Sequence, residues 1–417
     1  MESFVINGGK RLRGEIRVDS AKNSLLALLA ASILTEKGVT LKKCPDISDV
    51  QSMLAILKQL GCETAKGADG DIRIDCAGAD KFEIPPALAK EIRSSIFMLG
   101  PIVSRFKTAK VAYPGGCEIG MRPIDLHLKG LKDLGVEIRE EHGYISCDGS
   151  RMRGGGVHLD YPSVGATENI MMAAALLKGK TTIRNAAREP EIIDLQNFIN
   201  AMGGRISGAG TQTIEIEGVK KLGAVEYSAL PDRIIAGTYI IACAMAGGKI
   251  RLTNVIPENI YALIGKLKDT YVNIDCRENE ITVECDRKPL SAQIVETLPY
   301  PGFPTDLQAQ FLSLQSICDG TCVIIENMFE TRFKHVPELV KMGANITVRD
   351  RMAIVRGVGR LYGAEVNVHD LRGGAALVLA GMAASGKTRV HNVHHIDRGY
   401  ERLDEKLNSL GADIIRL

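Results

Sequence analysis

The chain has 417 residues, 45% apolar and 24% charged, with 52 Lys and Arg against 50 Asp and Glu. The near balance of charge, with no polybasic run, argues against nucleic acid as a partner, and the length exceeds what one core supports, so two or three domains are expected. The longest apolar run, Ser24 to Leu34, is well short of the roughly 20 residues a membrane span needs, and the β-like start after Glu2 is unlike a secretory signal, so the protein is read as cytoplasmic with no membrane partner.

In chain order, residues 2–20 have strand character. Asn23 to Ala31 then form a run with no polar face, which predicts a helix buried on all sides. A glycine turn and a short β-branched strand follow. Next comes a helix with Val50, Leu54, Leu57 and Leu60 on one face, closed by Gly61 as its C-cap. The succession restarts near Arg93, Gly165, Arg233, Asp306 and Arg372, a period of roughly 70 residues, longer than common solenoid repeats. Its later endings are Leu134-Gly135-Val136, Met202-Gly203-Gly204, a degenerate Lys268-Asp269-Thr270-Tyr271, Met342-Gly343-Ala344 and Leu410-Gly411-Ala412. Six αβαβ-type copies in an α/β chain suggest two domains of three, with sheets packed outward around shared apolar helices. The sixth copy stops at Leu417 without the strand pair that precedes each new copy, and residues 2–20 look like that pair. The expected domains are therefore 22–229, and 1–21 with 230–417, with the chain crossing near residues 21 and 230 and a substrate cleft between the domains.

Lys22, Arg93, Arg233 and Arg372 recur at the start of the first helix of a copy. A cation there opposes the positive end of the helix dipole and costs from a few tenths to about 1 kcal/mol, so an anion is expected to offset it. Arg122, Arg188, Arg332 and Arg398 sit in the turns before the second helices. Together they imply a substrate with several anionic groups.

Two motifs are set aside. Gly381 to Thr388 matches a phosphate-binding loop, but it leaves a helix and enters a strand, the reverse of the order that aims backbone amides at phosphate. His391, His394 and His395 lie on a strand and turn without ligand spacing, so no metal is expected, and nothing calls for an organic cofactor. The ten cysteines show no pairing framework and are read as reduced thiols filling core or surface. Cys117 differs. It lies in Pro114-Gly115-Gly116-Cys117-Glu118-Ile119-Gly120-Met121-Arg122-Pro123, a glycine- and proline-rich loop able to act as a lid. A thiol beside Arg122, with its ordinary pKa of about 8.5 lowered by the cation, suits a proton donor or a nucleophile.

With that loop, the chain resembles the UDP-N-acetylglucosamine enolpyruvyl transferases over residues 3–417. The likeness includes Ala21-Lys22-Asn23, Pro114-Gly115-Gly116-Cys117, Arg122 to His127, Ser163 to Thr167, Asn185 to Glu191, Phe303 to Gln310, Phe329 to Phe333, Asp370-Leu371-Arg372 and His395 to Arg402. It implies a two-domain inside-out α/β barrel of six repeats, and the first committed step of bacterial peptidoglycan synthesis, with phosphoenolpyruvate as donor. By this resemblance Lys22, Arg122 and Arg398, with Asn23 beside them, would hold the donor phosphate, and Arg332 and Arg372 its carboxylate. Cys117 would protonate the donor methylene, or attack C2 to give a thioether adduct, which implies sensitivity to epoxide alkylators of the fosfomycin kind. Asp306 would take the proton of the sugar 3-hydroxyl, and Asp370 would assist proton traffic or loop closure. Asn23 and the backbone at Met328 would place the sugar. Arg93, Arg122, Pro123, Ile124, Asp125 and Leu126, with Ser163, Val164 and Gly165, would line the UDP site.

Many members of the family carry a basic residue where this chain has Tyr161-Pro162, so a diphosphate contact is not implied there. The nearest alternative, enolpyruvylshikimate-phosphate synthase, is similar in fold, donor and arginine clamps but has no such cysteine loop and takes a smaller acceptor. A UDP-sugar sensor without catalysis would have lost Cys117, Asp306 or Lys22. An RNA-end-processing enzyme would show an adenylylating histidine and a basic face. No exposed heptad demands a partner chain, so a monomer is expected.

Overall fold

The computed structural model describes residues 2–115, 124–268 and 270–417. They form two compact units, one of residues up to 19 with 231–417, the other of residues 20–115 and 124–230.

In the 20–230 unit the central helices are Lys22–Ala31, Leu99–Phe106 and Val164–Ala174, and from Ser24 to Ala31 every residue is buried. A helix satisfies its own backbone, so an apolar surface on all sides leaves it free to sit wholly inside. Gly100 permits close packing of the second helix on the third, since a Cβ there would lie 2.2 Å from the Asn169 carbonyl oxygen. Ser104 Oγ donates to the Ala173 carbonyl at 2.8 Å across the same interface. The 231–417 unit repeats the plan with Arg233–Ala246, Gln308–Gln315 and Leu371–Ala383, and Ser313 Oγ donates to the Ala376 carbonyl at 3.2 Å.

Around these helices lie six four-stranded sheets of one design, an edge strand parallel to its neighbour followed by two antiparallel strands. Alternation decides which face turns inward: in Ile72–Asp75, Ile72 and Ile74 are buried and Arg73 and Asp75 exposed. Usually the edge strand is the tail of the preceding copy, as where Gly156–His158 pairs with Lys180–Arg184. Val225–Tyr227 instead returns to Val39–Leu41 of the first copy. The fourth copy is thereby left without an edge strand, and Leu12–Arg17 supplies it beside Gly248–Thr253. Ser3–Asn7 goes elsewhere, between Lys387–His391 and Ile414–Arg416 of the sixth copy. The N-terminal strands expected to stay together as one pair are thus divided between two sheets, because two sheets each lacked one strand. The bend between them passes Gly9 in the left-handed region, and Gly8 runs so close to the Leu371–Ala383 helix that a Cβ would lie 2.1 Å from the Ala384 carbonyl oxygen.

The capping glycines Gly61, Gly135, Gly203, Gly343 and Gly411 all take positive φ, between 88° and 97°. In the degenerate fourth copy the equivalent residue is Tyr271, at φ 66°, one place later than the sequence alignment of the endings put it. The second copy also departs from expectation: Arg93 opens a 3-10 turn, Arg93–Met98, and the α-helix starts only at Leu99. The Gly381 to Thr388 segment leaves a helix and enters the strand Lys387–His391. Every described cysteine is a free thiol, and all but Cys276 are buried. Burial pushes the Cys44 and Cys147 thiols up to about 12, which leaves them inert near neutral pH. No described helix is long and apolar enough to cross a membrane.

Candidate active site

Asp306 lies in the short turn Thr305–Leu307 that leads into the Gln308–Gln315 helix. Two guanidinium groups converge on it: Arg332 Nη2 donates to Oδ1 at 2.8 Å and Arg372 Nη2 to Oδ2 at 3.1 Å. Both arginines are 3% exposed. Burial acts against the charge of Arg372, but Asp306, with Tyr400 and Asp232 behind it, outweighs that effect and raises its pKa overall. The Arg332 Nε–H is buried with no partner among the described residues, so this guanidinium keeps a donor in reserve.

Each arginine is held by its own turn. Arg372 is the second residue of the Leu371–Ala383 helix, whose N-cap is Asp370; Asp370 Oδ1 accepts from the amides of Arg372 and Gly373, both at 3.0 Å. Asp370 is thus engaged as a helix cap. Arg332 precedes His335, a residue without a signal in the sequence. His335 is buried, its Cβ would crowd a side chain on Gly373, and its ring nitrogens have no hydrogen-bond partner among the described residues. Burial chiefly pushes its imidazole down to about 4, so it is neutral at pH 7.

The turn at Met328 is built on Glu326, also missed in the sequence. This fully buried carboxylate accepts from Thr297 Oγ1 at 2.8 Å, Thr305 Oγ1 at 2.9 Å, and the amides of Met328 at 2.8 Å and Phe329 at 3.1 Å. Arg398 is half-buried in the turn after Val393–His395.

In the 20–230 unit, Lys22 opens the Lys22–Ala31 helix, and its Nζ pairs with Asp49 Oδ2 at 3.0 Å. The anion expected to offset this cation is therefore supplied by the chain, as it is for Arg372. Asn23 follows, half-buried. Ser24 donates to Asp194, whose carboxylate also accepts from Tyr227 Oη at 2.6 Å and the Leu230 amide at 3.1 Å.

Ser163 caps the Val164–Ala174 helix, its Oγ accepting from the Ala166 amide at 3.3 Å. The Val164 and Gly165 amides stand in the first turn, where backbone donors have no intrahelical acceptor and favour anions. Gly165 is required for space: a Cβ would lie 2.7 Å from the Phe97 ring and 3.1 Å from the His127 ring. Burial, with Arg93 nearby, pushes the His127 imidazole down to about 3. Asn169 Nδ2 faces His127 Nδ1 at 3.1 Å while also donating to the Ile96 carbonyl, so the ring proton sits on Nε2. Arg93 is half-buried at the start of its 3-10 turn. Ile124 precedes the Asp125–Asp133 helix, which begins with Asp125 and Leu126. Cys117, Arg122 and Pro123 lie outside the described residues.

The structure therefore brings Asp306, Arg332 and Arg372 into direct contact, with Asp370 beside them. Lys22 and Asn23 share one helix start in the other unit, and Ser163, Val164 and Gly165 another.

Comparison with known proteins identifies relatives along the whole chain. Residues 6–407 match the EPSP synthase (3-phosphoshikimate 1-carboxyvinyltransferase) family. UDP-N-acetylglucosamine 1-carboxyvinyltransferase 2 of Caldanaerobacter subterraneus is 53% identical over 417 residues, covering 100% of both chains. UDP-N-acetylglucosamine 1-carboxyvinyltransferase of Desulforapulum autotrophicum is 48% identical over 418 residues, again covering 100% of both. Among solved structures, the enolpyruvyl transferase NikO from Streptomyces tendae superposes with a TM-score of 0.89 at 28% identity, over 100% of this chain and 98% of that one. EPSP synthase from Acinetobacter baumannii superposes with a TM-score of 0.75 over 100% of both chains; at 18% identity this likeness concerns the fold alone.

Proposed function

This chain belongs to the EPSP synthase family of 1-carboxyvinyltransferases, and from that premise we propose that it transfers the enolpyruvyl group of phosphoenolpyruvate to the 3-hydroxyl of UDP-N-acetylglucosamine, with release of phosphate. The reaction is the first committed step of peptidoglycan synthesis. The choice of acceptor follows the relatives at 53% and 48% identity, which are named for the nucleotide sugar.

One observation carries the chemistry: two buried guanidinium groups grip a single carboxylate, that of Asp306, and Arg332 keeps an unused Nε–H. The donor presents the same chemical group. On this reading the phosphoenolpyruvate carboxylate takes the place of Asp306 on Arg332 and Arg372, and the freed Asp306 accepts the proton of the sugar 3-hydroxyl. The alkoxide adds to C2 of the donor while Cys117 delivers a proton to its methylene carbon, giving a tetrahedral phosphoketal. Loss of a proton from the new methyl group then expels phosphate and leaves the enol ether. Lys22, Arg122 and Arg398 hold the phosphate as it leaves, and Asn23 and the backbone at Met328 place the sugar. The Val164 and Gly165 amides, with Ser163, serve the diphosphate, and Arg93 with Arg122 to Leu126 the rest of the nucleotide. Asp370 acts mainly by fixing the turn that carries Arg372.

The same reading makes the architecture two inside-out α/β barrels of three repeats each, 22–229 and 1–21 with 230–417. Six sheets of one strand order support it. It also makes the protein a cytoplasmic monomer, and free thiols at every described cysteine suit a reducing compartment.

The test is phosphate release from phosphoenolpyruvate with UDP-N-acetylglucosamine or shikimate-3-phosphate as acceptor, in wild type and Cys117→Ala. Release that needs the nucleotide sugar and collapses in the variant supports the assignment. Release with shikimate-3-phosphate moves it to the sister reaction, and none with either acceptor leaves a binding protein.

A further inference from the structure

Behind Arg372 lies a buried polar cluster that no motif announces. Thr238, on the Arg233–Ala246 helix, and Gln310, on the Gln308–Gln315 helix, are fully buried, and both meet the phenol of Tyr400, which is 2% exposed. The direction of the phenol's bond to Thr238 is fixed. Thr238 Oγ1 donates its one proton to the Ile234 carbonyl at 2.8 Å, so across its 3.0 Å contact with Tyr400 the phenol is the donor. Gln310 Nε2 donates to Thr238 Oγ1 at 3.2 Å and to Tyr400 Oη at 3.1 Å. The phenol oxygen is left with one lone pair, which accepts from Arg372 Nη1 at 3.2 Å. The guanidinium also lies 5.5 Å from the centre of the Tyr400 ring.

We infer that Tyr400, oriented by Thr238 and Gln310, is a positioning residue: it holds Nη1 of Arg372 and thereby aims Nη2 at the carboxylate that Arg372 serves. That carboxylate is Asp306 in this structure and, on the function proposed above, on which this inference rests, the phosphoenolpyruvate carboxylate in turnover. A guanidinium has five donors in a rigid plane, so fixing one nitrogen fixes the direction of the other. Tyr400 also follows Arg398 by two residues, so the same phenol anchors the turn that carries a second proposed donor contact. The three buried partners come from three different helices.

Tyr400→Phe tests this, because it keeps the ring over the guanidinium and removes only the acceptor. KM for phosphoenolpyruvate should rise roughly tenfold, as expected for losing a hydrogen bond to a charged group, with kcat and KM for the nucleotide sugar within about twofold of wild type. Thr238→Val, which frees the phenol proton to turn toward Arg372, should raise the same KM, and Thr238→Ser should restore it. A purely structural role would move both KM values and the melting temperature together. An unchanged KM for phosphoenolpyruvate in Tyr400→Phe, or equal behaviour of Thr238→Val and Thr238→Ser, overturns the inference. If Tyr400→Phe does not fold, the Thr238 pair decides alone. A crystal structure of Tyr400→Phe separates this inference from the functional reading. Should wild type release no phosphate, that reading falls, while a rotated Arg372 guanidinium in the variant upholds the positioning role and an unmoved one refutes it.

Discussion

Asp306 and Glu168 are carboxyls in opposite surroundings. Asp306 has two cations on it; Glu168 is buried with no partner among the described residues and with Glu191 and Glu189 close by. Burial, and behind it those two acids, raises the Glu168 carboxyl well above its ordinary 4.5. The folded chain keeps a proton there that the unfolded chain releases as pH rises through 4.5, so this group's contribution to stability falls as pH rises. Glu168→Gln should therefore raise the melting temperature at pH 7 and change it little below pH 4.5; equal gains at both would contradict the assignment. His335 works in the other direction. Its pKa is lowered from 6.5 to about 4, so stability is lost as pH falls through that window, and urea unfolding of His335→Gln should show a flatter pH dependence there. Lys22 and Arg372 were legible in the sequence because charges stand out at the heads of apolar helices, and Arg332 because it recurs with the cations in the turns before the second helices. Asp49, Glu326 and Tyr400 were not, because each has partners far along the chain, and His335 was not, because its ring nitrogens have no hydrogen-bond partner among the described residues.

Among the elements, the caps that end the second helices carry the repeat most faithfully. Gly203 sits at φ 96° in open space, so Gly203→Ala should cost only the left-handed backbone term of about 1 kcal/mol. Gly61 has the same backbone, but a Cβ would meet the Gly78 carbonyl oxygen at 3.1 Å and Ala79 Cα at 3.2 Å. Gly61→Ala should be the costlier of the two in urea unfolding, and the reverse order would mean that crowding at Gly61 is relieved by a shift of the 78–79 turn. These glycines gave the period away in the sequence. The fourth copy hid its register because Tyr271 takes the left-handed place, with the Arg287 guanidinium 3.4 Å from its ring centre. Similarly, the 3-10 start at Arg93 could not be told from an α-helix by apolar spacing alone, since both bury one side of a short run.

Over the whole molecule, the repeat was readable because apolar helices recur and the copies, except the fourth, end on a glycine. The destination of residues 2–20 was only half readable: period-2 alternation marks strands but not which sheet edge each one completes. Ser3–Asn7 is an interior strand, paired on both sides. Deleting residues 2–7 should strip hydrogen-exchange protection from Lys387–His391 and Ile414–Arg416 while leaving Val39–Leu41 and Ile72–Asp75 protected, since the sheet of the latter pair takes nothing from the N-terminus. Loss of protection in both sets would mean that the two units unfold as one. The central claim concerns what the molecule makes, and the most direct measurement is the mass spectrum of UDP-N-acetylglucosamine after incubation with the protein and phosphoenolpyruvate. The account predicts a new species carrying an enolpyruvyl ether on the sugar, formed in step with free phosphate. An unchanged nucleotide sugar, with phosphoenolpyruvate intact, would contradict it.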